Sequence, residues 1–213
     1  MMHILKYNIL ALALFCCSSG LAQRKALTAE ESAALRAKVT SNTQNLQSLQ
    51  SDFIQTKQLS YMDKAIRSTG KLYFKAPGKI RWEYLSPTNY VVIFDGQTMH
   101  TIEDGRTKST NLAANRRTQG FNNLLVSSLQ GGDMLDESRF DITYSRDKTD
   151  FIALLTPKDK GLSRYIRQVE LIFDGTSLLL TRVTLTDPAG DSTQLAFTNQ
   201  RKDVPIADTI FQP

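Results

Sequence analysis

The first apolar positions after the N-terminal stretch recur as Leu35, Val39, Leu46 and Leu49, a spacing that keeps them on one face of a helix. Thr28 stands ahead of them with Glu31 three residues on, the pattern of a capping box. One amphipathic helix is expected over residues 28–48, and its stripe must rest on something. From residue 51 the period falls to two. In "GKLYFKAPGKIRWEY", residues 70–84, Leu72, Phe74, Ile80, Trp82 and Tyr84 fall on one face. Lys71, Lys75, Lys79, Arg81 and Glu83 fall on the other, which can meet water. Pro77-Gly78, Ser86-Pro87, Asp95-Gly96 and Asp104-Gly105 punctuate residues 51–112, so these strands should form an antiparallel meander.

The alternation breaks between 113 and 137. Phe121, Leu124, Leu125 and Leu129 return to helical spacing, Gly131-Gly132 ends that helix, and a further helical turn is expected at 133–135. Strands resume over 139–145, 150–156, 165–173, 177–187 and 192–198. The expected fold class is α+β: one large antiparallel sheet with an N-terminal helix and a helical insert on one side. A meander of about eleven strands tends to curl, so a half-open barrel is expected.

Such a sheet presents one aromatic face, on which Phe53, Val92 and Phe94 join the residues named above. Large flat side chains and a glycine-flanked insert suit a cavity for an apolar ligand. They suit a filled core better still, since aromatic stripes are more often core than site, and the alternation leaves both open with the core ahead.

Composition changes the picture at the N-terminus. Residues 1–22 combine Lys6, an apolar run from Ile9 to Cys17 and a small-residue end at Ala22, the layout of a cleaved secretory signal. The run is too short to span a bilayer, which takes about 20 residues. A signal at 1–22 and one domain with a sizeable core at 23–213 are expected. Both cysteines would leave with the signal, so a disulfide, a thiol nucleophile or a thiolate metal site is not expected. The formal net charge of +5 would lose Lys6 and become +4. Export makes nucleic acid an improbable partner, while an anionic membrane surface or an acidic protein face suits a mildly basic chain.

Candidate chemistry is sparse. His100 would be the one remaining histidine, and it reads as an ordinary strand residue. A Ser-His-Asp site would need it as base, and no G-x-S-x-G elbow supplies the serine. Asp95, Asp104 and Asp174 each precede glycine, which turn formation explains. No Walker loop or G-x-G-x-x-G is present. Neither an enzyme nor a cofactor is expected.

The order of these features resembles the LolA family of outer-membrane lipoprotein carriers. The resemblance rests on Phe53 with Lys57, on "GKLYFKAPGKIRWEY", on Pro87 followed by "VVIFDGQTM", and on "TNQRKDVPIADTIF". It implies an incomplete eleven-strand barrel under a helical lid, with the aromatic face as a wall for lipoprotein acyl chains. That wall would comprise Phe53, Leu72, Phe74, Ile80, Trp82, Tyr84, Val92 and Phe94, with Phe121, Leu124, Leu125 and Leu129 from the insert. It implies a monomeric periplasmic carrier, loaded by an inner-membrane ABC-type complex and unloaded at an outer-membrane receptor. Alternatives are a relative carrying another lipid, such as a polyketide or aryl-polyene product, and a protein-binding scaffold or sensor. Ala76 stands before Pro77 where the family commonly has a lid-latching arginine.

Overall fold

A computed structural model of the chain describes residues 24–96, 98–111 and 134–213. The signal expected at 1–22 and the helix expected around Phe121, Leu124, Leu125 and Leu129 lie outside the described residues.

The elements follow in chain order: β1 (Lys25–Ala26), α1 (Ala29–Gln44), β2 (Ser48–Gln58), β3 (Ile66–Lys75), β4 (Lys79–Ser86), β5 (Tyr90–Phe94), β6 (Thr98–Glu103) and β7 (Arg106–Asn111). After the insert come β8 (Phe140–Asp147), β9 (Asp150–Pro157), β10 (Gln168–Phe173), β11 (Leu180–Thr186) and β12 (Ser192–Lys202). All twelve strands form one antiparallel sheet in the order β1-β8-β9-β10-β11-β12-β2-β3-β4-β5-β6-β7. The sheet is open, with β1 and β7 at its edges. The expected α+β class and incomplete barrel are therefore observed. The twelfth strand is β1, whose two residues are too few to show a period.

Local chemistry explains most boundaries. The Glu31 N–H donates to Thr28 Oγ1 at 3.2 Å, and the Thr28 N–H to Glu31 Oε2 at 2.8 Å, so the capping box is formed. The helix stops at Gln44, short of the expected residue 48, and Asn45 caps it. Thr43 returns its hydroxyl to the Val39 carbonyl and the Asn45 amide to that of Ser41, contacts that compete with helix propagation. Leu46 and Leu49 thus bury themselves from a loop and a strand instead of from the helix face. At Asp104-Gly105 both residues take positive φ, 49° and 71°, the turn that matches strand twist between β6 and β7.

The core lies on one face of the sheet. Leu35 and Val39 of α1 pack there with Leu49, Phe53, Leu72, Phe74, Ile80, Trp82, Phe94, Leu155, Leu171, Phe173 and Leu195. The opposite face corrects the expectation of a solvated charged surface. The segment after β12 crosses it, burying Ile206 and Phe211 against Ile93, with Tyr73, Val91 and Ile102 around them. Lys75 and Lys79 each reach Asp208 at 3.0 Å, Lys75 also donates to the Ile206 carbonyl, and Arg81 donates to that of Ile210. The lysines and Arg81 thus hold a strap instead of water alone.

Candidate functional site

On the core face the sheet and the end of α1 enclose a cavity of about 70 Å³. Asn42, Thr43 and Leu46 close it from the helix end. Leu49, Leu72, Trp82 and Phe197 form one wall, and Leu155, Val169, Leu171, Phe173, Val183 and Leu185 the other. Met134, Leu178, Leu179, Leu180 and Gln200 complete the described lining. The donors of its polar members are engaged: Asn42 with the Ser177 carbonyl, Thr43 with that of Val39, Gln200 with that of Leu180. The remaining surface is greasy.

An aromatic cluster flanks this cavity. Phe53 lies 4.8 Å from Trp82 and 5.1 Å from Tyr84, centroid to centroid, and Trp82 lies 6.1 Å from Phe197 in an edge contact. Gly70, paired with Phe53 across β2 and β3, makes room for that ring. A methyl group there would come within 2.5 Å of Phe53 and 2.0 Å of the Glu83 carbonyl. Tyr84 donates to Gln55 Oε1 at 2.9 Å. Burial pushes the Tyr84 hydroxyl pKa up, and the adjacent Trp82 N–H opposes that rise. Trp82 is 6% exposed, and its indole nitrogen closes no hydrogen bond among the described residues.

The eight described residues of the expected wall all share this face by register. Leu72 pairs with Trp82, Phe74 with Ile80, Ile80 with Phe94, and Trp82 with Val92. Only Leu72 and Trp82 line the cavity itself. Phe53, Phe74, Ile80, Tyr84, Val92 and Phe94 pack behind or beside it. Sequence reasoning missed the second wall. Its signal was present in "QVELIFDGTSLLLTRVTL", where Val169, Leu171 and Phe173 recur at every second position, with Gln168 and Glu170 but also the apolar Ile172 between and before them, and where Val183 and Leu185 alternate with Arg182 and Thr184.

Thr43 and Met134 also border an open groove of about 550 Å³ with a mixed polar and apolar lining, between α1 and residues 134–138. Thr43 and Met134 thus line both the groove and the cavity. Beside the groove, burial first and then Glu137 push the Tyr144 hydroxyl pKa up to about 12, while Arg36 opposes them. Arg36 is ion-paired with Glu137.

One polar constellation lies apart. His100 faces Ser109 across β6 and β7, with Nδ1 2.8 Å from Ser109 Oγ and Nε2 3.3 Å from Asp95 Oδ2. These are the residue types of a hydrolytic triad, brought together although the sequence reading placed His100 as a plain strand residue. Ser109 is exposed on an edge hairpin, away from the cavity lining, and Asp95 already accepts from the Thr98 N–H. The set pins the β5–β7 hairpins together. Among the described residues no cluster of His, Cys, Asp and Glu could hold a metal ion.

A family described as outer membrane lipoprotein carrier protein LolA matches residues 44–213, more than half of the chain. The chain belongs to the LolA family. A carrier of that description from Chromobacterium violaceum is 25% identical over 191 residues, covering 88% of this chain and 87% of its own. One from Cupriavidus necator is 27% identical over 147 residues, covering 68% of this chain and 65% of its own, just under two thirds of that relative. An uncharacterised conserved protein from Thermus thermophilus superposes with a TM-score of 0.52 at 9% identity, over 84% of this chain and 92% of that one, a likeness of fold alone. Members of the LolA family are carriers, not enzymes. Ala76 packs against the core where a latching arginine was expected from the family, and Arg81 on the opposite face pairs with Glu83 at 3.3 Å.

Proposed function

We propose that the protein is a periplasmic carrier that holds the acyl chains of a lipoprotein on the concave face of its open sheet and ferries them from the inner to the outer membrane. The observation that carries this reading is an apolar cavity between two walls of one open sheet, in a chain of a lipoprotein-carrier family. Transfer of an acyl chain into water costs about 0.8 kcal/mol per CH₂. A sixteen-carbon chain therefore needs shelter of roughly 12 kcal/mol to cross an aqueous space. A non-directional apolar wall supplies it and still permits release. The chain enters from the groove between α1 and residues 134–138, displacing Met134, whose unbranched thioether side chain rearranges readily. An ABC-type complex loads the carrier, and a receptor at the outer membrane unloads it.

The test is the lipid content and lipid affinity of purified protein. Solvent extracts analysed by mass spectrometry should contain acyl lipid, and a fluorescent fatty acid should bind and be displaced by unlabelled lipid. Leu185→Trp, which fills the cavity from a half-buried position, should abolish probe binding while the circular dichroism spectrum stays unchanged. Lipid-free protein that binds no probe would sink the proposal.

A further inference from the structure

Apolar exposure is gathered at one end of the sheet. A row of cross-strand partners, Gln58–Ser192–Thr186–Gln168, runs along that end and places the β2–β3 and β9–β10 loops on the same side. Among the described residues the large exposed hydrophobics are Tyr61 at 78%, Tyr165 at 77%, Leu85 at 48%, Ile66 at 43% and Met62 at 37%. All five lie at this end: Tyr61, Met62 and Ile66 on or beside the β2–β3 loop, Leu85 near the close of β4, and Tyr165 on the β9–β10 loop. The core gains nothing from them.

Charge is gathered in the same two loops. Residues 57–67 carry Lys57, Lys64 and Arg67 against Asp63, and residues 158–167 carry Lys158, Lys160, Arg164 and Arg167 against Asp159. Their joint surplus of five positive charges equals the formal net charge of the whole chain, +5. Lys158 is partly engaged by the Glu137 carbonyl and Asp141. Between the loops, the β11–β12 turn brings Asp187 and Asp191, whose two negative charges leave a surplus of three positive charges over these three loops. Asp191 Oδ1 accepts from the Ser60 N–H at 2.7 Å, and Asp187 Oδ1 from the Asp191 N–H at 2.9 Å.

We infer that this end of the half-barrel docks on an anionic lipid surface, with Tyr61 and Tyr165 at headgroup depth and the loop lysines and arginines against lipid phosphates. Tyrosine suits that place because its ring partitions into the interface while its hydroxyl stays wet. Basic residues beside it add attraction that salt screens. Two loops at one end give a platform with a fixed orientation, so the carrier meets its membranes end-on.

The test does not depend on the cavity or its cargo. Full-length protein and the variant Tyr61→Ser/Tyr165→Ser are sedimented with vesicles of phosphatidylcholine alone and with phosphatidylglycerol added, the same N-terminal segment standing on both sides of the comparison. Wild type should bind the anionic vesicles, weaken roughly tenfold between low and 0.5 M salt, and bind neutral vesicles poorly. The double variant, with an unchanged circular dichroism spectrum and unchanged fatty-acid probe binding, should lose most of the binding, as should Lys64→Gln/Arg164→Gln. Wild type that stays in the supernatant, binds both vesicle types equally, or is matched by the variants overturns the proposal. An acidic protein captured by the same loops without any vesicle binding overturns it too.

Discussion

Gly70 sets the depth of the aromatic wall. Its place opposite Phe53 exists because no other residue leaves that ring its position, and the Glu83 carbonyl closes the same space from β4. Gly70→Ala should therefore cost roughly 3 kcal/mol, at the upper end for overpacking, since a backbone oxygen cannot swing aside. A urea midpoint within experimental error of wild type would show that the sheet yields there. Trp82 poses the opposite case. Its N–H is buried and closes no hydrogen bond among the described residues, with the Tyr84 hydroxyl its polar neighbour, and an unmet donor costs about 1–3 kcal/mol, which opposes the gain from its rings and area. Trp82→Phe loses volume but removes that liability, so its stability should stay within about 1 kcal/mol of wild type. A loss of several kcal/mol in urea would mean that the indole contributes by shape alone.

The elements differ in how far their reasons are local. Hairpins at Pro77-Gly78, Asp95-Gly96 and Asp104-Gly105 were legible because turn chemistry resides in a few adjacent residues. The first cavity wall was legible for the same reason, through alternation in β3 and β4. The strap after β12 was not. "VPIADTIF" has no period, and its partners Lys75, Lys79, Arg81 and Ile93 lie more than a hundred residues earlier in the chain. Its polar anchor carries a pH signature. Hydrogen bonds from Lys79 and then Lys75 hold the Asp208 carboxyl below its ordinary 3.8. A carboxylate whose folded pKa is depressed stabilises above the unfolded value and loses that contribution as pH falls through the folded one. The strap should therefore hold unchanged down to about pH 4 and loosen below it. Amide-exchange protection of Ile206 and Phe211 should fall below that point in wild type. In Asp208→Asn it should start lower and be flat through the same window; an equal acid fall in both would assign the loss to another group.

At the scale of the molecule, the space seen and the cargo proposed differ in size. A cavity of about 70 Å³ falls well short of pockets for drug-sized ligands, which run to about 300–1,000 Å³. The alternation in the sequence could not decide between core and cavity because the described face is mostly core. An open sheet makes the difference reachable, since its two walls, β12 with β2–β5 and β9–β11, can part without breaking a closed ring of hydrogen bonds. Parting has a cost that rises with the volume opened. A preformed pocket would gain about 0.8 kcal/mol per added CH₂, close to a fourfold rise in affinity. Here each methylene beyond the first few must also separate side chains packed in the core around the cavity, which offsets part of that gain. Displacement of a fluorescent probe by saturated fatty acids from eight to sixteen carbons should thus give a slope clearly below fourfold per methylene, with affinity still rising at the long end. A full fourfold slope would mean that the walls part at no cost, and an affinity that stops rising after two methylenes would mean that they do not part at all.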